Sequence, residues 1–239
     1  MPGVWEQGPN KERVDLVVAV PIVNKSLVSI DWTFSLLEVL KPPYTKLIKQ
    51  TGAPVDVARN YLVYAARELG AKHIFFLDDD VIGPDNLSLR SQMLYRLLAH
   101  HVPIVSGVYW SKKGHTALWS GIVDDRGEVP GYLAAEGWDR GGGNIFEIDV
   151  VPMGCCLIDM RVFDVIPPPW FEWTAKTPDV LGGFSEDFDF CRKALKHGFG
   201  IFVDTSIKCR HETLHGIDVH GEFKVDDTPK KGALVARAV

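Results

Sequence analysis

The amino-acid sequence predicts an α/β fold, a single domain built on a doubly wound, mostly parallel sheet with helices on both faces. Apolar runs alternate along the first half of the chain with segments whose apolar residues recur about every 3.6 positions, the period of a helix. A repeated order of strand then helix is typical of parallel sheets, because each helix crosses back over the sheet. The length of 239 residues suits one large domain of this kind.

Most elements of the first half have recognisable ends. Pro21 is expected to stop the first strand, Pro54 stands where a helix begins, and Gly70 follows its last turn. The predicted strands are 14–20, 44–50, 73–77 and 103–109, and the predicted helices are 26–40, 54–70 and 86–99.

The second half is less regular. Residues 111–144 contain Gly-rich, charged turns and are predicted to form loops and short strands. A helix is predicted with Ser185 as its N-cap and Gly198 after its end. Further strands are predicted at 145–151, at 155–158 and in the segment that precedes His211.

Composition excludes several classes of protein. The formal net charge is −5 and there is no basic run, so nucleic acid is not expected as a partner. No apolar stretch approaches the roughly 18 residues of a membrane span, and the first residues lack a signal-peptide pattern, so a cytoplasmic location is expected. The cysteines have neither metal-site nor disulfide spacing and are predicted to be reduced core residues: Cys155, Cys156, Cys191 and Cys209.

Three consecutive carboxylates, Asp78, Asp79 and Asp80, end the apolar run that begins at His73. Ligands of open α/β sheets bind at the carboxyl ends of the strands. Adjacent carboxylates repel one another, so a hard cation such as Mg²⁺ or Mn²⁺ would stabilise them. Alternate side chains of an extended segment point the same way, so Asp78 and Asp80 are candidates to face one ion or its phosphates. A solvated acidic turn is the alternative.

A second acidic group, Glu186 and Asp187, follows Gly182 and Gly183 at the predicted helix start. Carboxylates in a first helical turn are often there only because the helix dipole stabilises them. A carboxylate at a helix start can equally be directed into a cleft as a general base or a hydroxyl-binding group. Both interpretations stay open from the residues alone.

The third candidate is His211, which follows a strand-like segment and is flanked by the cationic residues Lys208 and Arg210. A cationic segment of this kind can neutralise a diphosphate. His215 and His220 lie close enough in sequence to compete for the same role, and a lone histidine is usually structural.

Together these segments resemble the GT-A family of nucleotide-sugar glycosyltransferases, and family 2 in particular. The resemblance extends from about Val14 to Glu212 and covers most of the chain. The matching segments, in chain order, are the opening strand Val17–Val23, the helix start Ala58-Arg59-Asn60, the DxD-like Asp78-Asp79-Asp80, the glycine-containing strand Met153–Asp159, the Glu186-Asp187 pair with Arg192, and His211.

The resemblance implies a metal-dependent transferase of the hexosyltransferase type. It would move a sugar from a UDP- or GDP-linked donor to a hydroxyl of a carbohydrate or other acceptor. Asp80 and His211 would hold Mn²⁺ or Mg²⁺, and Asp78 would face the ribose or reach the metal through water. The implied nucleotide-sugar-binding residues are Pro21, Val23, Arg59, Asn60, Asp78, Asp79, Gly154 and Lys208.

Asp187 is the implied general base, with Glu186 as the next candidate. This favours an inverting enzyme, since in a retaining one the pair would only bind sugar hydroxyls. The domain would span 1–220, with a nucleotide-binding half at about 14–108, an acceptor and metal half at about 109–220, and a tail or lid at 221–239. The loops at 109–145 and the aromatic segment 170–173 would select the acceptor.

Two other classes remain as alternatives. A sugar-phosphate nucleotidyltransferase has a related sheet and metal, but would be expected to open with a Gly-rich phosphate loop, which the residues after Pro21 do not supply. A non-catalytic nucleotide-sugar or carbohydrate-binding protein could also keep the fold, although the acidic groups argue against it. Donor base, acceptor, stereochemical outcome and homo-oligomerisation stay open.

Overall fold

A computed structural model describes residues 13–22, 28–109, 119–120, 131–132, 145–174 and 184–212. Its centre is a seven-stranded sheet in the order β2-β1-β3-β9-β5-β10-β8. These strands are β1 (Leu16–Ile22), β2 (Thr45–Thr51), β3 (His73–Leu77), β5 (Ile104–Val108), β8 (Ile145–Glu147), β9 (Cys155–Asp159) and β10 (Ile201–Lys208). Two-residue strands form two small ladders beside it, namely β4 (Val81–Ile82) with β11 (Arg210–His211), and β6 (Trp119–Ser120) with β7 (Gly131–Tyr132).

Five of the seven strands run in one direction, which confirms the mostly parallel sheet. The pairs β1 with β2, β1 with β3, and β5 with β10 are parallel. The exceptions are β9, which lies antiparallel between β3 and β5, and β8 at one edge. Because β9 runs the opposite way, its first residue lies at the edge where β3, β5 and β10 end.

Helices cover both faces of the sheet: α1 (Ile30–Glu38), α2 (Val55–Glu68), α3 (Leu87–Ala99), α4 (Arg161–Val165) and α5 (Glu186–Lys196). Side chains of α2, α4 and α5 share one buried cluster with alternate strand residues, and those of α1 and α3 share the other. Val17 and Ala19 face the first cluster, whereas Val18 and Val20 face the second. Both faces of the central strands are therefore buried, as their continuous apolar sequence indicates.

Several predicted ends need correction. Pro21 lies inside β1, where it is paired with Gln50 of β2, and does not stop the strand. Proline is tolerated because pairing of β1 with β3 ends at Ala19, so no neighbour on that side requires an N–H donor. The first helix begins at Ile30, since the Ser29 side chain accepts the N–H of Trp32 and caps it there.

The second half also differs from the prediction. β8 ends at Glu147, well before Val151, and the short helix α4 was not predicted. Ser185 precedes α5 as predicted, but its side chain makes no capping hydrogen bond and instead contacts Asp187. No helix in the part of the chain that the structure describes is long and apolar enough to cross a membrane. The predicted tail at 221–239 lies outside the described residues.

Candidate functional site

The strand ends bring distant segments together at one edge of the sheet. Asp78 follows β3, Tyr109 follows β5, Gly154 precedes the antiparallel β9, and His211 comes after β10. The backbone N–H of Asp78 donates to the carbonyl of Gly154 at 3.0 Å, and the N–H of Gly154 donates to the Tyr109 hydroxyl at 2.9 Å. This edge is where ligands of open α/β sheets bind.

A buried arginine joins two of the predicted carboxylates. Arg59 is on the inner side of α2, with a side chain only 2% exposed. Its Nη2 atom lies 3.0 Å from both carboxylate oxygens of Asp78 and donates to Oδ2, and its Nε atom lies 3.4 Å from Oε1 of Glu186. The guanidinium also lies over the Phe76 ring, at 5.3 Å from its centroid. A buried arginine requires such partners, because an unpaired charge in a protein interior is strongly unfavourable.

This cluster still has unused hydrogen-bonding capacity. Asp78 Oδ1 and Arg59 Nη1 are buried and form no hydrogen bond with any residue that the structure describes. Buried polar atoms are normally satisfied, so these two atoms have capacity for a hydrogen bond with a polar ligand. The Trp32 indole N–H donates to the backbone carbonyl of Asp78 at 2.8 Å and holds the strand end in place.

The surroundings of Gly154 leave no room for a side chain. A Cβ atom built there would lie 2.5 Å from the Tyr109 hydroxyl oxygen and 2.8 Å from Asp78 Oδ2. Neither contact is possible for a real Cβ atom. Glycine at this position therefore allows the Tyr109 hydroxyl and the Asp78 carboxylate to face the same small space.

His211 lies beside Asp80 because their strands pair. Antiparallel pairing of β4 with β11 sets His211 opposite Val81, and the N–H of Glu212 donates to the carbonyl of Asp80 at 2.7 Å. As a result, His211 Nε2 is 3.4 Å from Asp80 Oδ2. Both side chains are partly accessible, at 17% and 20% exposed.

The acidic pair at the start of α5 is held in a poorly solvated environment. The pKa of Glu186 is raised to about 7, mainly by burial and then by the charge of Asp187, and the charge of Arg59 opposes both effects. Burial also raises the pKa of Asp187, against the hydrogen bond from Ser185 and the charge of Arg59. Glu186 is 7% exposed, whereas Asp187 is only partly buried. A carboxylate whose pKa is raised to about 7, as that of Glu186 is, can exchange a proton near neutral pH.

Other predicted residues have different surroundings. The Asn60 side chain donates to the carbonyls of Asp56 and Phe171 and accepts the N–H groups of Trp170 and Phe171, so it fastens the 170–171 segment to α2. Pro21 is buried in β1, and Lys208 is exposed at the end of β10. Val23 lies outside the described residues, as do His215 and His220.

Of the aromatic segment 170–173, Trp170 and Phe171 are core residues, and Trp173 is 56% exposed. Tyr109 and Trp32 were not predicted as site residues. The position of Tyr109 at the end of an apolar run was the available signal, because that is where the strand reaches the ligand edge of the sheet.

The residues present fit a hard divalent cation whose remaining coordination positions are filled by a bound ligand. Asp80 supplies an anionic oxygen and His211 an imidazole nitrogen, both of which Mn²⁺ accepts. Among the described residues no group of three or more His, Cys, Asp or Glu side chains could hold an ion. Such a two-residue set is typical of ions that protein groups share with substrate phosphates and water.

Comparisons with known proteins bear on the fold alone. No protein-family model matches the sequence, and no curated protein matches it. The solved structure of A197 from STIV is similar with a TM-score of 0.55 and 14% sequence identity, over 91% of this chain and 97% of that one.

The structure of GalNAc-T7 with UDP, GalNAc and Mn²⁺ is similar with a TM-score of 0.54 and 10% identity. That match covers 84% of this chain but 44% of GalNAc-T7. The predicted GT-A fold class is thereby confirmed, because a single α/β domain with this sheet and two helical layers matches a glycosyltransferase of that fold.

Proposed function

We propose that this GT-A domain is a metal-dependent glycosyltransferase, which moves a sugar from a nucleoside-diphosphate sugar to a hydroxyl group of an acceptor. The observation that carries the proposal is the approach of His211 to Asp80, at 3.4 Å, on the edge of the sheet where Asp78 and Gly154 also meet. If Asp78, Asp79 and Asp80 formed only a solvated acidic turn, that turn would not require a histidine from a distant segment beside Asp80. UDP, GalNAc and Mn²⁺ in the similar GalNAc-T7 structure support the same assignment.

Asp80 and His211 are assigned to the metal ion, Mn²⁺ or Mg²⁺. Such an ion would supply Lewis-acid chemistry, neutralising the charge that develops on the diphosphate leaving group. Asp78 is assigned mainly to binding of the nucleotide-sugar donor. Its Oδ1, which forms no hydrogen bond with a described residue, can accept one from a ribose hydroxyl, while Arg59 fixes the orientation of the carboxylate.

The remaining donor contacts are proposed from their places around this edge. Gly154 lets the Tyr109 hydroxyl and the Asp78 carboxylate lie against the backbone beside the donor, and Lys208 adds positive charge at the end of β10. Asn60 supports the start of α2, which carries Arg59. Pro21 and Asp79 complete the proposed set around the nucleotide, together with Val23, which lies outside the described residues and is proposed from the sequence resemblance alone.

Asp187 is proposed as the general base of an inverting transfer. In that step the acceptor oxygen bonds to the anomeric carbon, the bond to the diphosphate oxygen breaks, and the hydroxyl proton passes to Asp187. Asp187 is less buried than Glu186, and the direct contact with Arg59 is made by Glu186. Glu186 is held by Arg59, and the charge of Asp187 is one cause of the raised pKa of Glu186.

Calorimetric titration of UDP and GDP, each with Mn²⁺ and with chelator, tests the proposal. Binding is expected only with the metal, and Asp80→Ala should abolish it, because one protein ligand remains. Asp85→Ala is the matched control, since Asp85 is an exposed acid five residues further along the chain.

Equal nucleotide affinity with Mn²⁺ and with chelator would contradict the metal-bridged site. Nucleotide binding that needs the metal, without sugar transfer to any hydroxyl acceptor, would favour the non-catalytic alternative. Extending the titration to nucleotide sugars identifies the base and the sugar in the same experiment.

A further inference from the structure

Tyr109 contacts both halves of the proposed site. It lies directly after β5 and is buried, at 6% exposed. Its ring centroid is 5.3 Å from that of His211, at an interplanar angle of 74°. Its hydroxyl accepts the N–H of Gly154 at 2.9 Å. One side chain therefore touches the proposed metal ligand and the proposed donor-binding turn.

The ring contact restrains the His211 imidazole. β11 is only two residues long, and its backbone is tied to β4. Backbone pairing sets the position of Cα but leaves the side-chain torsions free. An edge-to-face aromatic neighbour favours one orientation of the imidazole. Tyr109 thus supports the ring from one side while Asp80 lies near its Nε2 atom.

The hydroxyl restrains the Gly154 turn. The N–H of Gly154 is buried, and without the phenolic oxygen it would lack this acceptor. Burial raises the pKa of Tyr109 well above its ordinary value, and the charge of Asp78 adds to the effect, so the phenol stays neutral. A neutral hydroxyl that accepts one hydrogen bond keeps its own proton to donate.

We propose that Tyr109 is a positioning residue that couples the metal-binding and donor-binding halves of the site, through its ring and its hydroxyl respectively. The effect of Tyr109 on catalysis rests on the proposed function. The positioning of His211 and Gly154 by Tyr109 concerns the ligand-free chain and is independent of that function. Groups that orient a metal ligand from outside the coordination shell typically change metal affinity by about 10–100-fold when they are replaced.

Two substitutions separate the two contacts. Tyr109→Phe keeps the ring and removes the hydroxyl, whereas Tyr109→Leu removes both. Tyr95→Phe and Tyr95→Leu are matched controls, because Tyr95 is a 45% exposed tyrosine on α3. Each variant is first compared with the wild type by thermal unfolding and circular dichroism.

The first readouts use the ligand-free protein and nuclear magnetic resonance. Amide exchange at Gly154 should accelerate roughly ten-fold in both Tyr109 variants, since its N–H loses a buried acceptor. The ring-proton shifts of His211, assigned through His211→Gln, should move in Tyr109→Leu and stay near the wild-type values in Tyr109→Phe. Unchanged exchange and unchanged shifts in both variants would overturn the inference.

The second readouts use UDP and a UDP-sugar over a range of Mn²⁺ concentrations. Tyr109→Leu should need about 10–100-fold more Mn²⁺ for half-maximal UDP binding. Tyr109→Phe should need a nearly normal Mn²⁺ concentration but show a higher KM for the donor. An equal loss in both variants, with unaltered metal dependence, would indicate a merely structural tyrosine and overturn the coupling.

The two hypotheses fail in different ways. If the wild type binds no nucleotide with Mn²⁺ while the ligand-free readouts change as expected, the proposed function fails and the positioning of His211 and Gly154 by Tyr109 stands. If the wild type shows metal-dependent binding and the Tyr109 variants match the Tyr95 controls, the function stands and the role of Tyr109 is refuted.

Discussion

The Nε atom of Arg59 lies 3.4 Å from Oε1 of Glu186, although 127 residues separate the two in the chain. Arg59 also contacts Asp78, so its guanidinium connects the end of β3 to the start of α5. A single buried guanidinium therefore determines how close the DxD-like segment and the acidic pair can be. It also lowers the pKa of Glu186, against the larger effect of burial.

Replacing Arg59 should destabilise the folded protein. Arg59→Met keeps most of the side-chain volume but leaves two carboxylates without their cation, so the free energy of unfolding should fall by about 3–5 kcal/mol. Arg67→Met is the control, because the ion pair of Arg67 with Asp164 is exposed and should contribute about 1 kcal/mol or less. Urea unfolding at pH 7 measures both. Equal losses in the two variants would contradict the role of the buried cluster.

Stability should depend on pH through Glu186. Its pKa is about 7 in the folded protein and about 4.5 in the unfolded chain, so the folded state binds more protons between these values. The free energy of unfolding should consequently fall as pH rises from 4.5 to 7, because unfolding then releases the proton to solvent.

Glu186→Gln should flatten this dependence. The comparison is urea unfolding of the wild type and the variant at several pH values across the window, with Glu68→Gln as a control on the exposed end of α2. A wild-type profile that rises through the window, or one that Glu186→Gln leaves unchanged, would show that another group dominates.

Gly154→Ala tests the close contacts around the strand end. The new Cβ atom would overlap the Tyr109 hydroxyl and Asp78 Oδ2, so the turn must shift. We expect nucleotide affinity to fall by at least about ten-fold, together with a loss of stability of about 1–3 kcal/mol. The measurements are UDP titration with Mn²⁺ and urea unfolding.

Gly198→Ala is the matched control for that substitution. Gly198 has a φ of 81° just after α5 and no atom within 4 Å of its virtual Cβ, so alanine there strains the backbone without crowding a site. It should lose stability by about 1 kcal/mol and keep nucleotide affinity. A normal affinity in Gly154→Ala would remove this glycine from the donor site.

The order of elements was predictable because local patterns carry it. Buried strands such as His73–Leu77 are continuous apolar runs, and α2 keeps a helical period up to Gly70. The direction of β9 was not predictable, since an apolar run such as Cys155–Asp159 is equally compatible with parallel and antiparallel neighbours. That direction is nevertheless what brings Gly154 to Asp78.

The site was harder to predict, because contacts between distant parts of the chain bring its residues together. The roles of Asp80 and His211 came from a family resemblance, and their approach depends on the β4–β11 ladder, which neither segment reveals alone. The contacts of Asn60 show the same limit, because its amide is fastened to a segment 111 residues further along the chain. The end of an apolar run was a signal for Tyr109, but its contact with Gly154 depends on the pairing of β5 with β9, which the sequence does not reveal.

The last prediction separates the two carboxylates at the start of α5 by their kinetics. Asp187→Asn keeps the shape of the side chain but cannot accept the acceptor's proton, so kcat should fall by about 10²–10⁴-fold while metal-dependent UDP binding stays normal. Glu186→Gln should lose less, because Glu186 is held by its contact with Arg59 and is not assigned the acceptor's proton. Initial rates at saturating donor and acceptor measure both variants. If Glu186→Gln loses turnover and Asp187→Asn does not, the two roles are exchanged. If both variants stay active, the pair binds sugar hydroxyls and the enzyme is retaining or uses another base.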